Sequence, residues 1–113
     1  MKLLTAANRS ALPVLYSQES KDLDAIVHVK FFLPGHPGTW YVTEFDGQDT
    51  FFGLADLGMG TPELGYFSLA EIESIRGRYG PMERDLHWKP QPLRDCMVWN
   101  GHGNLVRYGT VGS

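Results

Sequence analysis

The architecture turns on Thr39-Trp40-Tyr41-Val42-Thr43-Glu44-Phe45-Asp46-Gly47-Gln48-Asp49-Thr50-Phe51-Phe52-Gly53-Leu54-Ala55-Asp56-Leu57. Two runs rich in β-branched and aromatic residues flank Asp46-Gly47-Gln48-Asp49. Asp-Gly supplies the positive φ angles that short hairpin turns need, so the stretch predicts two antiparallel strands. Upstream, Ala25-Ile26-Val27-His28-Val29-Lys30-Phe31-Phe32 has the length and residue types of another strand, and Pro34-Gly35-His36-Pro37-Gly38 is a tight connection. Downstream, Gly58-Met59-Gly60-Thr61-Pro62 reads as a loop and Glu63 to Phe67 as a fourth strand. Successive hairpins without a crossover helix imply an antiparallel meander.

Two short helices fit around these strands. Thr5 is a suitable N-cap for a helix through Ala6, Ala7, Arg9 and Ala11, with Leu4, Ala7, Ala11 and Leu15 at core-facing spacing. Pro13 ends it. Ser17 to Asp24 is polar and reads as a loop. Ser68-Leu69-Ala70-Glu71 has the form of a capping box, Phe67 and Ile72 occupy hydrophobic-staple positions, and Gly77 is a ready C-terminal cap. Met82 to Trp88 alternates as a fifth strand that Pro90 and Pro92 stop. The expected fold class is α+β: one antiparallel sheet of about five strands with two short helices, over residues 1–95. Residues 96–113 form a C-terminal extension, either a hairpin around Asn100-Gly101-His102-Gly103-Asn104 or a loosely packed tail.

Composition bounds the function. A chain of 113 residues with 42% hydrophobic and 20% charged residues is one ordinary globular domain. The single cysteine, Cys96, excludes an internal disulfide framework. No apolar run approaches the roughly 18 residues of a membrane span. The start lacks the apolar core of a signal peptide, so a cytoplasmic setting is expected.

The net charge of −3 conceals a segregation. Residues 31–75 contain no Lys or Arg, yet hold Glu44, Asp46, Asp49, Asp56, Glu63, Glu71 and Glu73. Gathered on one surface, these carboxylates would repel phosphate and attract a basic protein. Simple solvation of strand and turn positions stands as the structural alternative. Nucleic-acid binding is not expected through this segment, and a nucleic-acid accessory protein using the basic stretch from Arg76 to Arg107 stands as a further alternative function.

Several stretches taken together carry a family resemblance. They are Met1-Lys2-Leu3-Leu4-Thr5, Val29-Lys30-Phe31-Phe32, Thr39-Trp40-Tyr41-Val42-Thr43-Glu44, Phe52-Gly53-Leu54, Leu57-Gly58-Met59-Gly60, Pro62-Glu63-Leu64-Gly65-Tyr66-Phe67-Ser68-Leu69, Arg76-Gly77 and Glu83-Arg84-Asp85-Leu86-His87-Trp88. Together they resemble a bacterial family, domain of unknown function 2958, from whose pattern Arg78 and the tail after Asp95 depart. The resemblance implies small proteins carried by plasmids, integrative elements and phages. It implies an accessory or anti-defence role and no established chemistry.

The residues themselves offer two site readings. In the first, Glu44, Asp46, Asp49, Asp56 and Glu63 form an acidic protein-binding surface, helped by aromatic residues on a sheet face left open by two short helices. In the second, Glu44, Asp56, Glu63, Arg84 and His87 surround the cleft of a small hydrolase. Arg84 alternates with Met82, Leu86 and Trp88, so it needs a partner; an ion pair with Glu44, Asp56 or Glu63 is expected. Glu44 shares its strand face with Trp40 and Val42, and Asp56 with Phe52 and Leu54. Core packing is the first explanation of the strand aromatics Trp40, Tyr41, Phe45, Phe51, Phe52, Tyr66, Phe67 and Trp88. His28, His36, His87 and His102 lack metal-ligand spacing, no phosphate loop follows Gly58-Met59-Gly60, and no nucleophile elbow is present. No metal or cofactor is expected. A non-enzymatic binder of a protein partner is the leading expectation.

Overall fold

The computed structural model describes residues 3–58 and 62–96. The proposed terminal hairpin and part of the 58–62 loop lie outside these residues.

The central hairpin forms as its sequence requires. Strands β3 (Thr39–Phe45) and β4 (Thr50–Asp56) pair antiparallel across the Asp46–Asp49 connection. Gly47 adopts φ +87°, and one carboxylate oxygen of Asp46 accepts the amides of Gln48, Asp49 and Thr50 at 2.8–3.0 Å. Strands β2 (Val29–Phe32) and β5 (Glu63–Ser68) flank the hairpin, giving the expected meander. The strand expected over 25–32 breaks at His28. Its first part, β1 (Ile26–Val27), leaves the main sheet and pairs with β9 (Gln91–Pro92).

The fifth strand of the main sheet is β8, reduced to Glu83–Arg84. It lies against β2, so the order is β5-β4-β3-β2-β8 and the chain crosses from one edge to the other. That crossing passes through helix α2 (Leu69–Ser74) and a small hairpin of β6 (Arg76–Gly77) with β7 (Gly80–Pro81). Gly77 therefore belongs to the hairpin, while Ile75 is the C-cap of α2. Beyond Arg84 the chain turns, leaving Leu86 exposed instead of extending the strand to Trp88.

Both faces of the sheet are covered, where a single covered face was expected. On one face, Phe31, Trp40, Val42, Phe45 and Phe51 pack with Leu3, Leu4, Leu12, Leu69, Ile72 and Met82. Phe51 contacts Phe31, Phe45 and Phe67 at centroid separations of 5.6, 4.7 and 5.5 Å, within the favourable range for tilted rings. Helix α1 (Ala6–Ala11) has the expected Thr5 cap, but none of its own residues is buried; the leucines flanking it make the core contact. On the other face, Val27, Tyr41 and Leu54 pack with Ala25, Leu93 and Cys96. Helix α3 (Leu93–Cys96) and a 3-10 helix over Glu19–Asp24 supply this second cover, in segments too short for periodicity to reveal. The architecture is α+β.

The capping of α2 also differs from its local signature. Ser68 accepts the amide of Glu71 at 3.2 Å, as expected, but Asp49 supplies the remaining partners. Its carboxylate accepts the Ser68 hydroxyl at 2.6 Å and the Ala70 amide at 2.8 Å, and its carbonyl accepts the Leu69 amide at 2.7 Å. Thr50 pairs with Ser68, which places the hairpin turn beside the helix start.

Candidate functional site: a tyrosine-rimmed cleft over Glu44

An irregularity in β3 positions the site. Val42 pairs with Gly53, yet Glu44 pairs with Phe52, so Thr43 is an extra residue on the β3 side. A bulge of this kind reverses which face the following residues occupy. Trp40 and Val42 stay with the phenylalanine-rich core, and Phe45 rejoins it after the bulge. Glu44 moves to the opposite face, correcting the expectation that it shares a face with Trp40 and Val42. Gly53 sits opposite the bulge because a Cβ there would lie 1.9 Å from the Tyr41 carbonyl oxygen.

Glu44 is 3% exposed. A buried carboxylate needs strong hydrogen bonds, and it finds them in the segment read from sequence as a polar loop. Oε1 accepts the Tyr16 amide at 2.7 Å and Oε2 accepts the Gln18 amide at 2.7 Å. Gln18 is itself buried. Its Nε2 donates to the carbonyls of Thr43 at 2.8 Å and Ile26 at 3.0 Å, while its Oε1 accepts the Ile26 amide at 2.7 Å. These bonds fasten residues 16–18 over the far face of the sheet. They also hold Tyr16 at φ +71°, a left-handed conformation that costs a non-glycine residue about 1–2 kcal/mol.

Between this segment and the sheet lies a cleft of about 260 Å³. Ala25, Leu64 and Leu93 give it an apolar wall, Gln18, Thr43 and Glu44 a polar one, and Glu19, Phe52, Tyr16 and Tyr66 complete it. Tyr16 and Tyr66 meet edge to face with ring centroids 6.4 Å apart, and Phe52 meets Tyr66 at 4.9 Å. Tyr66 is 55% exposed and Tyr16 62% exposed, so Tyr66 is a rim residue and not the core aromatic its strand position suggested. The Tyr66 phenol is pushed up to about 12, first by the neighbouring Tyr16 side chain and then by burial, with Glu19 and Glu44 adding to the effect.

The other candidate residues do not join this site. Asp56 is buried near the far end of β4 and accepts the Gly58 amide at 2.9 Å. Glu63 is exposed at the start of β5. Asp46 and Asp49 sit at the hairpin turn, at the opposite end of the seven-residue β4 from Asp56, a span of roughly 20 Å. Four of the five proposed surface carboxylates thus bind backbone amides, and the five do not form one acidic surface.

Arg84 donates to the Leu3 carbonyl instead of pairing with Glu44, Asp56 or Glu63. Topology explains this: β2 separates β8 from β3, and Asp56 and Glu63 are farther still across the sheet. Arg84 lines a separate polar cleft with Asn8, His28 and Asp85. Burial, followed by the charge of Lys21, lowers the pKa of His28. His87 lies exposed in the turn after β8, where its amide donates to Asp85 at 2.9 Å. The five residues proposed for hydrolysis are therefore distributed over different places and share no pocket.

The sequence reading missed Tyr16 and Gln18. No spacing marks Gln18, because its partners are backbone groups brought together by the fold. Tyr66 was accessible to alternation, since Leu64 and Tyr66 share a strand face and both line the cleft. Among the described residues no group of three or more His, Cys, Asp or Glu side chains is placed to hold a metal. No described helix is long and apolar enough to cross a membrane.

Comparison with curated proteins and with solved structures returned no match. The family model described as protein of unknown function DUF2958 matches residues 3–99, spanning the whole sheet, both of its covers and every residue of the cleft; the chain belongs to that family.

Proposed function

We propose that this protein is a non-enzymatic accessory protein that docks a protein partner in the cleft over Glu44. The observation carrying this reading is the pair of tyrosines at the opening, each more than half exposed and in contact with the other. Tyrosine gives a large contact area with few torsions to freeze, which is why it concentrates in protein interfaces. The supporting frame is stiff: Glu44 and Gln18 fix the backbone under Tyr16 with five hydrogen bonds, and Tyr66 stands on the sheet. Such preorganisation favours recognition, because less conformational freedom is lost on binding.

The acidic surface expected from sequence gives way in this reading to an aromatic rim with carboxylates beside and below it. The partner remains a protein with basic character. The sequence resemblance implies carriage on mobile elements, and on that reading a host protein is the partner to seek, with inhibition of a host defence system as one use.

A photo-crosslinking amino acid placed at Tyr66 should capture a discrete partner in cells. The same group placed at Tyr79, an exposed tyrosine on the β6–β7 hairpin, should not. Identical products from both positions, or none from Tyr66, would overturn the reading.

A further inference from the structure

Elsewhere in the fold, the chain holds a cation between aromatic rings and a carboxylate. The Lys30 ammonium lies 5.5 Å from the Trp88 ring centroid, 5.9 Å from that of Tyr41 and 3.8 Å from Asp85 Oδ2. The same ingredients surround the cleft. Tyr66 stands at 61° to Phe52 and 63° to Tyr16, so the three rings that line the cleft are steeply inclined to one another. Inclined rings of this sort surround ammonium groups because each contributes the negative face of its quadrupole. Glu44 forms part of the wall, Glu19 stands at the edge, and no Lys or Arg is among the described residues that line the space.

Each Glu44 oxygen accepts a single amide, and a carboxylate oxygen has capacity for a second donor. Both oxygens being engaged disfavours the parallel two-bond arrangement that a guanidinium prefers, while a compact ammonium needs only one approach. The apolar wall of Ala25, Leu64 and Leu93 suits an aliphatic stem.

We propose that the cleft receives the side chain of a partner lysine, its ammonium held between the Tyr16, Phe52 and Tyr66 rings and the carboxylates of Glu44 and Glu19. This rests on the docking role proposed above and specifies the chemistry of the group that enters. Arginine and uncharged aliphatic side chains of similar length are discriminated against.

The test is an NMR titration of the full chain with three blocked tripeptides, Gly-Lys-Gly, Gly-norleucine-Gly and Gly-Arg-Gly. The lysine peptide should shift the ring resonances of Phe52 and Tyr66 with millimolar affinity that weakens as salt is raised. Tyr66→Leu should weaken it at least fivefold and Glu19→Gln about twofold, both changes lying at exposed positions. Norleucine should bind at least fivefold more weakly, and arginine more weakly than lysine. Equal binding of norleucine would overturn the ammonium assignment while leaving an apolar docking cleft in place. Arginine binding as tightly as lysine would overturn the selectivity argued from Glu44. Absence of shifts with every peptide would overturn the inference, and crosslinking at Tyr66 would then decide the docking role separately.

Discussion

Glu44 Oε2 accepts the Gln18 amide at 2.7 Å, joining residues 26 positions apart in sequence across the second face of the sheet. Its other oxygen holds Tyr16, so one buried carboxylate organises the whole upper wall of the cleft. Glu44→Gln would replace one acceptor by a donor facing an amide. Unfolding in urea should show a loss of about 2–3 kcal/mol, the scale of a charge-assisted bond broken with a buried group left unsatisfied. Loss of the Tyr16–Tyr66 ring contact should accompany it in NMR spectra.

Tyr16→Gly separates stability from recognition. Glycine adopts φ +71° without the side-chain penalty, and the ring it removes is mostly exposed. Urea denaturation should show a gain of about 1 kcal/mol. Binding of the crosslinked partner should fall at the same time, the usual outcome when strain is retained for recognition.

Asp49→Ala tests the long-range cap of α2. The change removes the acceptor for the Ala70 amide and the Ser68 hydroxyl. A destabilisation of about 1–2 kcal/mol is expected by chemical denaturation, as for other N-cap losses. Glu71→Ala should cost less than half as much, because Ser68 receives the Glu71 backbone amide and that amide persists.

Gly53→Ala should be among the most damaging single-methyl additions in the protein. The new Cβ would meet the backbone carbonyl of Tyr41, which the central hairpin cannot withdraw without disturbing the bulge. A loss of about 3 kcal/mol in urea unfolding is expected, at the upper end for overpacking. Gly65→Ala, where a Cβ meets nothing within 4 Å, is the control and should change stability by less than about 1 kcal/mol.

Stability should fall in alkali. Burial is the main reason that the Tyr41 phenol is pushed from 10.0 to about 12, with the Cys96 and Asp56 charges adding to it. Burial likewise pushes the Cys96 thiol from 9.0 to about 12, with Asp95 contributing. Both groups hold their protons more tightly when folded, so their contribution is complete below pH 9 and declines as pH rises toward 12. His28 has the opposite sense: its lowered pKa favours the neutral ring, and its contribution is lost as pH falls below 6.5. Thermal melts across pH should show a plateau between about 7 and 9, and Tyr41→Phe should flatten the alkaline limb.

Much of the fold was legible because its signals are local. The Asp46-Gly47 turn, the strand runs on either side and the Thr5 cap depend on residues within four positions of each other. The cleft was legible only in fragments. Its framework depends on one extra residue in β3, on a glutamine bonded to two strands, and on a 3-10 helix without periodicity. The placement of β8 beside β2 was equally hidden, since local pattern identifies a strand without naming its neighbour. Hence the charge of the middle segment was visible from sequence, while its consumption by backbone amides was not.

The extra residue in β3 puts the two halves of that strand out of phase. Deleting Thr43 would make the strand regular and leave Val42, Glu44 and Phe45 opposite Gly53, Phe52 and Phe51, so Glu44 and Phe45 would keep their present faces. What the deletion removes is the Thr43 carbonyl that Gln18 Nε2 binds at 2.8 Å, so loss of a single codon here would loosen the anchor of residues 16–18 while sparing the dry side. Because that acceptor is a backbone group, the presence of a residue between Val42 and Glu44 should matter more than the identity of Thr43.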